Sequence, residues 1–252
     1  MKFVTFNIRC DYNQDRENNF CYRKPFILEK LKQESPDIIC FQEVLPHVAD
    51  WLKENLTDYY VLGCGRDANL EDEQTAVAFK KLKYQLIGMH TFWLSPTPYV
   101  PGSRYDKQSI CPRTCTEVVL QDVASKEMFR VLNTHLDHEG SEARVLGMKQ
   151  ILDYITQVTT FKEATVFLTG DFNAAPHNPE ITMISEVGGL VDLTEEIEGT
   201  YHEYGRIAQC EQIDYVFTSK GTKCKERGLW KDEIKGVFLS DHYPVFVEIY
   251  TK

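Results

Sequence analysis

The stretch Thr165-Val166-Phe167-Leu168-Thr169-Gly170-Asp171-Phe172-Asn173 decides how this chain is read. Its first five residues are β-branched, aromatic or aliphatic, the composition of a strand, and the glycine opens a polar cluster at the strand's end. A sheet delivers side chains at such an end to one rim with little positional slack. The arrangement recurs. Strand readings over Lys2–Arg9, Asp37–Gln42, Thr75–Lys80, Phe129–Leu136, Thr165–Thr169, Gln212–Ser219 and Tyr243–Tyr250 set Asn7, Glu43, His135 with Asp137 and His138, Asp171 with Asn173, Asp214, and Asp241 with His242 at or beside strand ends. Any one of these alone reads as a solvated turn or a cap. Together they read as a site for a hard cation or a phosphate. Oxygen donors without a Cys/His quartet favour magnesium or manganese over zinc.

Between the strands, Arg23–Glu34, His47–Leu56 and Ser141–Thr160 carry apolar residues at spacings of three and four, as amphipathic helices do. Asn178-Pro179-Glu180 adds a helix start, with Asn as cap and Pro at the first helical position. The alternation predicts layered α and β elements. Trp93–Arg113, with Pro96, Pro98, Pro101, Gly102 and Pro112, is predicted to be a loop. Thr5-Phe6-Asn7-Ile8 and Gly170-Asp171-Phe172-Asn173 hint at an internal pseudo-repeat.

The chain has 252 residues, 42% hydrophobic and 26% charged, with no linker-like tract, so one domain over 1–252 is expected. No apolar run approaches the roughly 20 residues of a spanning helix, and the basic-then-apolar order of a signal peptide is missing. The expectation is a cytoplasmic protein with no membrane partner and no obligate protein partner. Its eight cysteines read as reduced thiols, and Cys111 and Cys115, with no second pair, do not make a structural zinc site. A net charge of −10 excludes a simple electrostatic nucleic-acid binder and, with no Lys/Arg-rich run, argues against long duplex DNA.

Six segments then carry a resemblance. Thr5-Phe6-Asn7-Ile8-Arg9, Phe41-Gln42-Glu43-Val44, Asn133-Thr134-His135-Leu136-Asp137-His138, Gly170-Asp171-Phe172-Asn173, Ile213-Asp214-Tyr215 and Ser240-Asp241-His242-Tyr243-Pro244 resemble the ordered motifs of the endonuclease/exonuclease/phosphatase superfamily. Phe92-Trp93-Leu94-Ser95-Pro96-Thr97-Pro98, Pro101-Gly102-Ser103 and Pro112-Arg113 resemble its compact bacterial branch, related to the catalytic domains of poly(A)-shortening exonucleases. The resemblance implies a DNase I-like four-layer α/β sandwich, two mixed β-sheets packed face to face with helices outside and the site at one edge.

It also implies roles. Glu43 would be the main carboxylate for Mg2+, with Mn2+ as substitute, helped by Asn7 and Asp241. Asp171 and Asn173 would orient and deprotonate the attacking water. His242 would bond a phosphate oxygen, with Asp214 fixing its tautomer, and His135 would donate to the phosphate or the leaving oxygen. Glu73 would support His135, Arg113 would clamp phosphate, and His138 and Arg144 belong to the branch-specific resemblance. The expected reaction is metal-assisted, in-line attack of water on a phosphodiester, including 3′–5′ exoribonuclease-like cleavage of RNA or another nucleic acid. The alternatives are a phosphatase of a small phosphate ester, such as a sugar or inositol phosphate, and an inactive binding module, which would have lost part of the set. A zinc hydrolase using His47, His90, His135 and His138 has no HExxH-type helix behind it. Trp93–Arg113 is the expected substrate-selecting element.

Overall fold

The computed structural model describes residues 1–251. In chain order it forms β1 (Lys2–Asn7), α1 (Phe20–Glu34), β2 (Ile38–Gln42), α2 (Pro46–Asn55), β3 (Tyr59–Leu62), β4 (Val77–Lys80), β5 (Tyr84–Trp93), β6 (Thr114–Asp122) and β7 (Met128–His135). It continues with α3 (Ser141–Gln157), β8 (Thr165–Asp171), α4 (Pro179–Glu186), β9 (Val191–Asp192), β10 (Asp214–Thr218), β11 (Cys224–Leu229), β12 (Glu233–Ile234), β13 (Val237–Phe238) and β14 (Val245–Ile249). One six-stranded sheet runs β11-β14-β1-β2-β4-β3 and the other β5-β6-β7-β8-β10-β9.

Both sheets are mixed, and their centres match. β1 lies parallel to β2 and antiparallel to β14, as β8 lies parallel to β7 and antiparallel to β10. The two Phe-Asn segments therefore end equivalent central strands.

The four layers follow from strands that are apolar on both faces, which only burial on both sides satisfies. Phe3 points between the sheets, in a cluster with Ile38, Phe79, Val131 and Val216, and its ring stacks on Phe167 at 5.0 Å. Val4 and Phe6 point the other way, onto Ile27 and Leu31 of α1 and Val48 and Leu52 of α2. On the second sheet, Leu132 and Leu168 meet Met148 and Ile151 of α3 and Ile181 and Ile184 of α4. Each such side chain stabilises the fold by roughly 1.5–3 kcal/mol on burial.

The structure departs from the sequence reading in particular places. β3, β5, β6, β9 and β11–β13 were not anticipated; in β6 the buried polar residues Thr114, Thr116 and Glu117 break up the apolar run. Its polar residues are satisfied internally: Glu117 accepts from Arg130 Nε and from the Tyr154 hydroxyl, each at 2.6 Å. α1 begins before Arg23 because the Asn19 side chain accepts the Cys21 N–H at 3.1 Å. Asn178 makes no side-chain cap bond, although Pro179 opens α4 as expected. All eight cysteines are free. Among the described residues, no helix is long and apolar enough to cross a membrane.

His202 makes stability depend on pH. It is 1% exposed, stacks on Tyr243 at 3.8 Å, accepts the Gly205 N–H through Nδ1 and leaves a buried Nε2 without a partner. Burial, and then the neighbouring His242, pushes it down to about 4. The unfolded chain, with His near about 6.5, binds this proton first as pH falls, so stability is lost between those values, by up to ~3 kcal/mol. Urea unfolding of wild type and His202→Phe at neutral pH and near pH 4.5 checks this. The variant is expected to lose less stability on acidification, and equal losses refute the assignment.

Candidate active site

β7, β8 and β10 bring their ends into register, with His135 opposite Asp171 and Asp171 opposite Asp214. From the other sheet, Asn7 at the end of β1 reaches across. Its Nδ2 donates to Glu43 Oε1 and to Asp171 Oδ2, both at 3.0 Å, so one amide ties the two sheet edges together. The Cys10 N–H fixes the second Glu43 oxygen at 2.7 Å. Asn173 donates its N–H to Asp171 Oδ1 at 2.9 Å and its side-chain amide to Leu136 O at 3.0 Å. His242 Nδ1 meets Asp214 Oδ2 at 2.8 Å, and its Nε2 lies 3.8 Å from Asp171 Oδ2. His135 Nε2 lies 3.4 Å from that same oxygen.

The backbone here is held in sparsely populated conformations. Glu43 has φ 61°, Arg9 φ 62° and Asn173 φ 47°, and a non-glycine residue in that region costs of order 1 kcal/mol or more, tolerated where the surroundings over-determine it. Gly170, at φ 140°, explains the glycine of its motif: an added Cβ would sit 1.8 Å from Thr134 O.

Most of these groups face one cleft of about 600 Å³, lined among others by Glu43, Glu73, Arg113, His135, His138, Asp171, Asn173, Asp241 and His242. Asn7 and Asp214 stand behind it through the bonds above. Glu73 accepts from Arg66 Nη2 at 2.8 Å, so its partner is Arg66 rather than His135. Arg113 is 4% exposed. It reaches Asp137 at 3.4 Å and His138 Nδ1 at 2.8 Å, while its buried Nη1 has no partner. Arg144 is a strut outside the cleft, bonded to Glu180 at 2.6 Å and to Asp137 O at 3.0 Å. The four-histidine zinc reading fails: His47 is exposed against Asp11 and His90 faces Tyr154, both outside the cleft that His135 and His138 line.

Arg9, Tyr12, Cys111, Tyr201, Glu211 and Ile213 also line the cleft and were given no role by the sequence. Arg9 lies inside a quoted motif, two residues past Asn7, and was within reach. The loop residues Arg66, Tyr201 and Glu211 carry no periodic signal.

Electrostatics separates the groups. Burial and then Asp214 push Asp171 up to about 7. Burial opposes charging His242, but Asp214 and Asp171 outweigh it and hold the imidazolium up to about 10. Burial, Arg113 and Arg66 keep His135 well below the ordinary histidine range, hence neutral. Burial also opposes ionising Glu43, yet Arg9, Asn7 and the Cys10 N–H hold it below the usual carboxylate range. Burial and then Glu43 raise Glu73 to about 7, and burial with Glu43 raises Asp241.

Asp171, Asp214 and His242 place ligand atoms within 4.8 Å of one another. His242 Nδ1 is already engaged by Asp214 Oδ2 at 2.8 Å, an arrangement that suits a proton-handling trio. Around Glu43, by contrast, one guanidinium, Arg9, faces Glu43, Asp15 and Asp241. That surplus of hard oxygen charge suits a divalent cation.

Comparison with known proteins bears on the fold and the family. A structure of an endonuclease/exonuclease/phosphatase protein from Bacteroides vulgatus superposes with TM-score 0.93 at 30% identity, covering 100% of this chain and 98% of that one. The mannosyl-6-phosphatase of Bacteroides thetaiotaomicron gives TM-score 0.93 at 26% identity over 100% of both chains. Protein angel homolog 2 of Danio rerio is 28% identical over 178 residues, 65% of this chain and 29% of that protein, so the chain spans under a third of that relative's length. The description of the Endonuclease/Exonuclease/phosphatase family matches residues 4–242, nearly the whole chain, and the chain belongs to that family.

Proposed function

We propose that the chain is a divalent-metal-dependent hydrolase of a small phosphate monoester, with water as nucleophile. The observation that carries this is the convergence of neutral His135 and cationic His242 on one Asp171 oxygen, 3.4 and 3.8 Å away, in a cleft that also holds Arg113. The Asp171 carboxylate, raised toward neutrality by burial, takes the proton of a water that it orients with Asn173. His242, charged and braced by Asp214, bonds an unesterified phosphate oxygen. His135 lies across from it, beside the leaving oxygen. The buried Arg113 Nη1, an unsatisfied donor, takes a further phosphate oxygen.

Glu43, Asp241 and the Asn7 side-chain oxygen fit Mg2+ or Mn2+. When bound, the ion supplies Lewis-acid polarisation of the phosphate and offsets its growing negative charge. A terminal phosphate has more free oxygens for these donors than a bridging one, and the net charge of −10 is unhelpful to a polyanionic chain. The exoribonuclease reading keeps one point in its favour, because Tyr12 and Tyr201 line the cleft and aromatic rings stack on bases.

The test is release of phosphate or product from p-nitrophenyl phosphate, bis(p-nitrophenyl) phosphate, mannose 6-phosphate and a single-stranded RNA, with Mg2+, Mn2+ or EDTA, beside Glu43→Ala. The expected result is monoester hydrolysis abolished by EDTA and lowered about a hundredfold or more in the variant. Activity that survives both, or RNA cleaved in preference to every monoester, refutes the reading.

A further inference from the structure

The walls of the cleft beyond the reacting groups come from an unexpected segment. Of the Trp93–Arg113 loop, Cys111 and Arg113 reach the cleft, whereas Ser95, Pro98, Tyr99 and Tyr105 line a separate cavity of about 440 Å³ against α3. The segment between β9 and β10 instead contributes Tyr201, Glu211 and Ile213 to the cleft.

We propose that Tyr201 and Glu211 form the leaving-group subsite and select a neutral, hydroxyl-rich leaving group, a sugar or other polyol. This rests on the phosphomonoesterase reading above. Both residues are locked to the catalytic groups through the backbone. Tyr201 bridges Glu211 on one side and His242 on the other, and its N–H donates to Glu211 O at 3.0 Å. The Thr200 hydroxyl accepts the N–H groups of Ile213 and Asp214 at 3.1 and 3.2 Å, so the segment keeps register with the strand that carries Asp214. The Tyr201 ring packs 5.0 Å from the His242 ring.

Glu211 is exposed, and among the described residues no side-chain bond is made to its carboxylate or to the Tyr201 hydroxyl. A carboxylate is an acceptor-only group, suited to hydroxyls, and an aromatic face suits the C–H face of a sugar ring. The same carboxylate repels the next phosphate of a nucleic-acid chain. Charge therefore decides between the two ligands an aromatic wall could serve.

The experiment compares kcat/KM of the full chain with Mg2+ on mannose 6-phosphate, p-nitrophenyl phosphate and a short oligoribonucleotide, for wild type, Glu211→Ala, Glu211→Lys and Tyr201→Phe. Glu211→Ala is expected to lose about tenfold or more on mannose 6-phosphate, chiefly in KM, because a site built to bond hydroxyls loses its acceptor. Its rate on p-nitrophenyl phosphate, which offers no such hydroxyls, should stay within about twofold. Tyr201→Phe should lose several-fold on the sugar phosphate alone, and Glu211→Lys should raise relative activity on the oligoribonucleotide. Equal losses on both monoesters would mark a structural role and overturn the proposal, as would no loss on mannose 6-phosphate. A wild type that cuts the oligoribonucleotide and neither monoester overturns the functional reading itself, a result distinct from both.

Discussion

Asp171→Asn is expected to lower kcat by about a thousandfold or more, with KM nearly unchanged and the melting temperature lowered by only a few degrees. The amide is isosteric, but its single oxygen can accept only one of the two N–H bonds that Asn7 and Asn173 direct at the separate carboxylate oxygens. What it loses is the proton acceptor, together with the negative charge that helps hold His242 protonated. Two functions of one carboxylate vanish, so the loss should exceed that of His135→Gln, which removes a neutral donor. Steady-state kinetics on the preferred monoester, beside a thermal melt, measures both halves. A kcat within tenfold of wild type would sink the proton-acceptor role, and a collapsed melt would make the residue structural instead.

Arg23→Met is expected to cost roughly 3–5 kcal/mol of stability, the range for stranding buried polar partners, and to take activity with it. Arg23 is 0% exposed, and its guanidinium serves carbonyls rather than a carboxylate: Asn18 O and Ile8 O at 2.6 Å, Leu239 O at 3.0 Å and Arg9 O at 3.1 Å. Ile8 and Arg9 follow Asn7, and Leu239 precedes Asp241 by two residues. One buried cation from α1 thus fixes the turns that aim two of the proposed cation ligands. Methionine fills much of the volume but leaves the carbonyls unpaired. Urea denaturation gives the stability, and a loss below about 1 kcal/mol would show that water replaces the guanidinium at little cost.

The residues facing the cleft were legible to different degrees. Asp171, Asn173, His135, Asp214 and His242 stand beside strands whose pattern is local, so a short window shows both the strand and the polar group at its end. Glu73 lay in a legible place, but its partner did not: Arg66 comes from an irregular loop and claims its carboxylate. Tyr201 and Glu211 are ten residues apart in a segment with almost no regular structure, and a β-bridge makes them neighbours.

By itself, then, the sequence determined the ends of the strands that carry the motifs, the order of the six motifs and the identity of the groups that stand there. Those features are local, because apolar runs and turn chemistry are written residue by residue. Only the tertiary structure decided that Asn7 bonds Asp171 across 164 residues of chain, that Arg23 holds both turns, and that His47 and His90 stay outside the cleft. These depend on which faces of two sheets pack together, and no window of sequence contains both sheets. The charges of the site were decided there too, since Asp171 nears neutrality and His242 stays protonated through burial beside partners that the fold alone brings within 4 Å.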